Sequence, residues 1–145
     1  MDKTIFALAG RSGCGKSKTV NFIYDLLEKE FEITDKNLER RYEIEGTFKI
    51  NGIIFGIASM GDPCTDLRGR LLALKKQRCQ IIICATRTNG ETIDAVIELR
   101  PSYQTCWDRQ KYVDGESAQI NNNKKMAQSF VNKIQCLMEH NTPAS

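Results

Sequence analysis

The sequence predicts an α/β fold in three layers, in which helices cover both faces of a mostly parallel five-stranded sheet with one antiparallel edge strand. Two observations lead to this prediction. Short apolar runs alternate along the chain with segments whose apolar residues recur every three or four positions, which is typical of strands followed by helices. One pair of strands is instead separated by Asn51-Gly52, which favours a tight antiparallel hairpin because both residues tolerate positive φ.

The first strand and the first helix open the chain. Residues 4–9 (TIFALA) form a continuous apolar run, as expected for a strand that is buried on both faces. A stripe of apolar residues at helical spacing follows, with charged residues between its members, and it predicts an amphipathic helix. The stripe consists of Val20, Ile23, Leu27 and Phe31.

The predicted hairpin supplies the second and third strands. Residues 41–50 alternate between apolar and polar side chains, which predicts a half-exposed strand at the edge of the sheet. Residues 53–58 (IIFGIA) are apolar without a break, so they are expected to form its buried partner. Leu67, Leu71 and Leu74 then mark a second helix.

Two further strands and two helices complete the prediction. Residues 81–85 (IIICA) indicate a fourth, buried strand, and residues 103–107 a fifth strand. Thr88 and Glu91 have capping-box spacing, which favours the start of a short helix there. Residues 113–123 are polar and are interpreted as a loop. The closing amphipathic helix is marked by Met126, Phe130, Ile134 and Leu137.

Length and composition bound the classes of function. The 145 residues are predicted to form one domain over residues 1–140, with a frayed tail at 141–145. The net charge of +3 is too small to indicate a nucleic-acid partner. No apolar run approaches the ~20 residues that a membrane span needs. Because the first strand leaves no room for a signal peptide, we expect a cytoplasmic protein.

Residues 10–17 read GRSGCGKS and match G-x-x-x-x-G-K-[ST], the pattern of phosphate-binding loops. Glycines let successive backbone N–H groups turn toward an anion, and the helix that follows directs the positive end of its dipole to the same point. Lys16 is expected to reach the terminal phosphates, and Ser17 to offer its hydroxyl to Mg²⁺. The expected nucleotide-binding residues are Gly10, Arg11, Ser12, Gly13, Cys14, Gly15, Lys16, Ser17 and Lys18.

Cys14 has two interpretations. A thiol in the positive field of this loop could have a lowered pKa and be sensitive to oxidation. Alternatively, Cys14 is a small residue tolerated at a variable loop position. The chain has six cysteines without a C-x-x-C pair and a single histidine, so a zinc site is not expected.

With this motif between a strand and a helix, the chain resembles the P-loop NTPase superfamily. Its hairpin resembles the Ras-like branch, in which the same hairpin forms one edge of the sheet. The resemblance implies binding of Mg²⁺ and a nucleoside triphosphate. The chain lacks the N-K-x-D motif with which Ras-like proteins grip guanine, and Asp62-Pro63-Cys64-Thr65 lacks the glycine of their D-x-x-G motif. ATP is therefore expected as the nucleotide rather than GTP.

Two residues outside the motif are candidates for the chemistry. Walker-B-type sites place an Asp at the end of a hydrophobic strand near the phosphate loop. Asp62 is the acid that follows strand 53–58, so it is expected to hold Mg²⁺ together with Ser17, the alternative being a turn residue before Pro63. Arg87 follows the fourth strand and is expected to contact the γ-phosphate, the alternative being a solvated surface arginine.

The leading hypothesis is an NTPase that binds Mg–ATP and hydrolyses the β–γ phosphate bond. Lys16 and Arg87 are its expected catalytic residues. No general base is evident in the sequence, which favours slow turnover or a protein partner that completes the site. Three alternatives remain open: a kinase that acts on a nucleotide or another small molecule, a nucleotide-dependent switch or adaptor with negligible turnover, and an inactive scaffold that has kept the loop.

Overall fold

Strands and helices alternate along most of the chain in the computed structural model, which describes residues 2–11, 13–60, 66–88 and 90–140. The strands form one sheet in the order β2-β3-β4-β5-β1-β6. In chain order the elements of these residues are β1 (Thr4–Ala9), α1 (Lys16–Glu30), β2 (Ile33–Arg40), β3 (Ile44–Ile50), β4 (Ile53–Ala58), α2 (Leu67–Lys76), β5 (Ile81–Thr86), α3 (Glu91–Ile97), β6 (Gln104–Arg109) and α4 (Glu116–His140).

The sheet is mostly parallel. β1 pairs in parallel with β5 on one side and β6 on the other, and β5 pairs in parallel with β4. β3 is antiparallel to both of its neighbours, β2 and β4. The carboxyl ends of the parallel strands therefore share one edge of the sheet with the beginning of β3. We call this edge the carboxyl edge.

Helices cover both faces of the sheet. One apolar core joins α1 and α4 to one face and includes Ile23 and Phe130, both fully buried. The other core joins α2 and α3 to the opposite face through Leu71 and Val96. The predicted α/β class with a mostly parallel sheet is confirmed.

The predicted count of five strands is wrong, because the sheet in the described residues has six. The additional strand β2 lies at one edge, and only its residues Ile33 and Leu38 pack against the core. A strand exposed along most of its length needs no alternation of apolar side chains, so its sequence carries no strand signal. As a result β3 lies one position inside the edge, and the hairpin of β3 and β4 does not form the edge that the Ras-like resemblance implied.

Two predicted boundaries also shift. β3 begins at Ile44, so Arg41 precedes the strand. α3 begins at Glu91 with Gly90 as its N-cap residue, and no side chain caps it by a hydrogen bond. The capping box predicted from Thr88 is therefore wrong, because the glycine backbone turns the chain into the helix.

α4 is longer than its apolar pattern indicates. It begins at Glu116, so residues 116–123 are helical where a loop was predicted. Most side chains of residues 116–122 are exposed, and an exposed helical turn needs no apolar stripe. Over the ranges that the structure describes, no helix is both long enough and apolar enough to cross a membrane.

Candidate functional site

The glycine-rich loop, residues 10–15, joins β1 to α1 at the carboxyl edge, and its Ser12 lies outside the described residues. Gly13 and Gly15 have φ angles of 79° and 95°, which L-residues with side chains rarely adopt. Gly10 is needed for a different reason, since a Cβ there would lie 2.7 Å from Cys14 Sγ. The shape of the loop thus explains all three glycines.

The beginning of α1 faces a cavity beside this loop. Gly15 is the N-cap residue, no side chain caps the helix, and its first turn contains no acidic residue. The first N–H groups of a helix have no partner within the helix and carry partial positive charge. They can therefore bind an anion in the cavity of about 260 Å³ that is lined by Gly13, Gly15, Lys16, Ser17, Lys18 and Gln119.

The Lys16 side chain is held where β1 and β5 end. It is only 6% exposed, and its Nζ donates to the carbonyl oxygens of Gly10 and Thr86, the latter at 2.8 Å. The N–H of Gly10 donates to the same Thr86 oxygen at 3.0 Å. Arg87 comes directly after Thr86, and its backbone N–H donates to Thr92 Oγ1 at 2.9 Å. The fold therefore brings the backbone of Arg87 next to the lysine contact.

A carboxylate that sequence reasoning missed lies against Ser17. Ser17 Oγ lies 2.9 Å from Glu43 Oε1 and 2.7 Å from Glu43 Oε2, and it donates to this carboxylate. Ser59 Oγ donates to Glu43 Oε2 at 2.5 Å, and the Ser59 carbonyl oxygen lies 3.4 Å from Ser17 Oγ. We call Ser17, Glu43 and Ser59 the hydroxyl–carboxylate cluster.

The direction of β3 explains why Glu43 reaches the loop. β3 runs against β4, so its beginning lies beside the end of β4, where Ser59 follows the last strand residue. Ser59 N–H donates to the Ile44 carbonyl oxygen at 3.0 Å, and Ile44 N–H donates to Ser59 Oγ at 2.8 Å. The tight turn at Asn51-Gly52 carries the signal that could have found Glu43, because counting the hairpin register back from this turn places Glu43 beside the end of β4.

A buried polar network of Thr19, Gln110 and Asn123 holds the backbone of the loop in place. Gln110 Nε2 donates to the Cys14 carbonyl oxygen at 2.7 Å and to Asn123 Oδ1 at 2.6 Å. Thr19 Oγ1 donates to Gln110 Oε1 at 2.7 Å. The network joins the loop to α1, to the residue after β6 and to α4. Sequence reasoning missed Gln110 and Asn123, because it interpreted their surroundings as a polar loop.

No protein-family model, curated protein or solved structure matches the chain. The site is therefore interpreted from its own geometry.

The other predicted site residues differ in their surroundings. Arg11 and Lys18 are exposed. The Arg11 guanidinium lies 4.3 Å from the centre of the Tyr112 ring, and both residues line a cavity of about 700 Å³. Asp62, the predicted metal ligand, lies outside the described residues, so its role stays a prediction.

The structure favours the second interpretation of Cys14, a small residue tolerated in the loop. The side chain is 1% exposed, and burial raises the pKa of its thiol, although the charges of Lys16 and Arg11 act in the opposite direction. The suggestion that the positive field of the loop lowers this pKa is therefore wrong, because loss of hydration of the thiolate outweighs the field.

We expect Cys14 to react with iodoacetamide at pH 8 at least about tenfold more slowly than the exposed Cys136 in the folded protein. The thiolate is the reactive form. The raised pKa lowers the fraction of thiolate at Cys14, and burial restricts the access of iodoacetamide to its sulfur. Peptide mass spectrometry of timed samples measures the two rates. The rates should become similar in urea, whereas similar rates in the folded protein would contradict the buried position of Cys14.

The site brings together the groups that phosphate and a hard cation require. Backbone N–H groups and the Lys16 ammonium can bind phosphate oxygens, and the hydroxyl–carboxylate cluster offers oxygen ligands. Within the described ranges, no group of three or more His, Cys, Asp or Glu side chains could hold a metal ion. A cation here would therefore need further ligands from a bound phosphate or from water, which is the usual mode for Mg²⁺.

Proposed function

We propose that the protein is a P-loop NTPase, which binds Mg–ATP and slowly hydrolyses the β–γ phosphate bond. One observation carries the proposal: two glycines with left-handed backbone conformations, the beginning of α1 and the buried Lys16 ammonium all lie at one loop. The loop, the beginning of α1 and Lys16 thus lie together at the carboxyl edge. Ligands of parallel α/β sheets bind at this edge.

Each residue has a role in this proposal. Backbone N–H groups of the loop and of the first turn of α1 hold the β-phosphate. Lys16 exchanges its carbonyl contacts for oxygens of the β- and γ-phosphates, because a phosphate offers a full negative charge where a carbonyl offers a dipole. Arg87 stabilises the charge that develops on the γ-phosphate as water attacks it.

The residues also fit the Mg²⁺ that the superfamily uses. Ser17 presents a hydroxyl oxygen beside carboxylate and carbonyl oxygens, and such hard oxygen ligands suit this ion. We propose that Ser17 and Asp62 hold it. When bound, Mg²⁺ neutralises charge on the phosphates.

One observation favours a second candidate, phosphoryl transfer to a small molecule. A cavity of about 610 Å³ opens next to the hydroxyl–carboxylate cluster and offers room for an acceptor. It is lined by Glu39, Arg40, Arg41, Tyr42, Glu43, Glu45 and Met60. The two candidates differ in the fate of the γ-phosphate, since an NTPase releases inorganic phosphate without an added acceptor, whereas a kinase requires one.

Lys16→Ala tests the proposal. We expect about 100-fold weaker binding of ATP, because the variant loses charge-assisted hydrogen bonds to two phosphates. Isothermal titration with ATP, GTP and ADP, with and without Mg²⁺, measures the affinities and the base preference.

Lys29→Ala is the matched control, because Lys29 lies in the last turn of the same helix and is exposed. It should bind ATP as the unmodified protein does. Circular dichroism should show that both variants are folded. Equal ATP affinity of Lys16→Ala and the unmodified protein would contradict the proposed function.

A further inference from the structure

The Glu43 carboxylate has hydrogen-bond donors around it but no cationic partner in the described part of the chain. Its two oxygens accept from the hydroxyls of Ser17 and Ser59. Two of the nearby arginines form ion pairs with other residues, Arg40 with Asp25 at 2.6 Å and Arg70 with Glu45. Among the described residues, the exposed side chain of Arg41 forms no ion pair with Glu43. A half-buried carboxylate in such surroundings is a favourable place for an added cation, because the cation offsets the cost of removing its charge from water.

The local structure holds this carboxylate in place. Glu43 comes directly before β3, and two hydrogen bonds between Ile44 and Ser59 fix the backbone at this point. Ser59 is 1% exposed, so its hydroxyl has little freedom to turn away from Glu43. Oxygen ligands that are positioned before binding lose less entropy when a cation binds.

The spacing of the oxygens is that of a hydrogen bond, and it is also compatible with one small cation. Neighbouring ligands of an octahedral Mg²⁺ with bonds of about 2.0–2.1 Å lie about 2.9 Å apart. Ser17 Oγ lies 2.9 and 2.7 Å from the two oxygens of Glu43. The hydroxyl and the carboxylate can therefore contact the same ion once the hydroxyl proton no longer points at Glu43.

We propose that Glu43 supplies the carboxylate that binds the divalent cation of the nucleotide, together with the hydroxyl of Ser17. The inference rests on the proposed function, because phosphate oxygens and water supply the remaining ligands. It adds to Ser17 the carboxylate that precedes the antiparallel strand β3, whereas the sequence predicts only Asp62 as the carboxylate ligand. The two carboxylates belong to different residues, so their contributions are separable by mutation.

Glu43→Gln tests this inference. The amide retains the size of the side chain and an oxygen that accepts from Ser17 and Ser59, so we expect the fold to be retained. Mn²⁺ serves as the probe, and its binding is followed by electron paramagnetic resonance with and without a non-hydrolysable ATP analogue. We expect the dissociation constant of Mn²⁺ in the presence of the analogue to rise at least about tenfold. Affinity for the analogue in excess EDTA should stay within about twofold.

Glu39→Gln is the control for net charge. Glu39 is exposed and lines the same cavity as Glu43, and the substitution removes the same charge. It should leave Mn²⁺ affinity unchanged, and Glu43→Asp should restore part of the affinity that Glu43→Gln loses. Asp62→Asn in the same assay measures the share of the other carboxylate.

The outcomes separate this inference from the proposed function. Unchanged Mn²⁺ affinity in Glu43→Gln overturns the inference, and so does the absence of Mn²⁺ binding by the unmodified protein under both conditions. Nucleotide binding in EDTA would leave the proposed function standing in either case. Mn²⁺ binding that depends on Glu43 in a protein without nucleotide affinity would support the cation site and overturn the proposed function.

Discussion

Phe48→Ala is expected to lower the free energy of unfolding by about 3–5 kcal/mol. Phe48 is fully buried in β3, with its ring stacked on Phe55 at a centroid distance of 5.1 Å. The ring of Tyr24 from α1 meets it edge-on at 5.3 Å. The substitution removes apolar surface from the core and leaves a cavity where the sheet, α1 and the hairpin meet, so the loss includes both burial and packing.

Urea denaturation followed by circular dichroism measures this loss. Tyr42→Ala is the control, because Tyr42 is an aromatic residue two positions before the same strand and is 94% exposed. Its effect should stay within about 0.5 kcal/mol. A loss below about 1 kcal/mol for Phe48→Ala would contradict the packing described for β3.

Gly15→Ala is expected to lower the free energy of unfolding by about 2–4 kcal/mol and to weaken the proposed ATP binding at least tenfold. Two causes add together. The φ of 95° strains any residue with a Cβ, and the new Cβ would lie 2.8 Å from Asn123 Oδ1 and 3.2 Å from Gln110 Nε2. Relief of these contacts requires movement of the buried network that binds the Cys14 carbonyl oxygen, so the loop loses its support.

Gly13→Ala separates the two causes. Gly13 also has a left-handed φ, of 79°, but a Cβ there would meet nothing within 4 Å. Only the backbone strain of about 1–2 kcal/mol should appear in its free energy of unfolding. Urea denaturation and calorimetric titration with ATP measure both variants. If Gly13→Ala and Gly15→Ala lost equal stability, the contact between the loop and the buried network would not contribute to the free energy of unfolding.

The loop region is the part of the site that local sequence predicts best. Its glycines, Lys16 and Ser17 are close in the chain, and their conformations follow from the freedom of glycine and from the start of a helix. The flanking strand and helix carry strong apolar patterns. For these reasons, the sequence alone is enough to place β1, the glycine-rich loop and α1 in order, and it predicts the observed bounds of β1.

β2 and the start of α4 were not predictable in the same way. Both are largely exposed, so their regular structure does not depend on an apolar pattern. β2 exists because β3 offers it a row of backbone hydrogen-bonding groups. Such pairing is a property of two segments, and the composition of one of them does not reveal it.

Sequence by itself determined the α/β class, the mostly parallel sheet and the loop with its phosphate-binding pattern, because these depend on short-range periodicity and on backbone conformations that glycine permits. Only the tertiary structure decided which distant side chains surround that loop. Glu43 reaches Ser17 because β3 runs antiparallel to β4. Gln110 reaches Cys14 because β6 ends beside the loop, and Asn123 lies next to Gly15 because α4 packs there. These contacts depend on strand direction and packing between segments far apart in the chain, which no local pattern encodes.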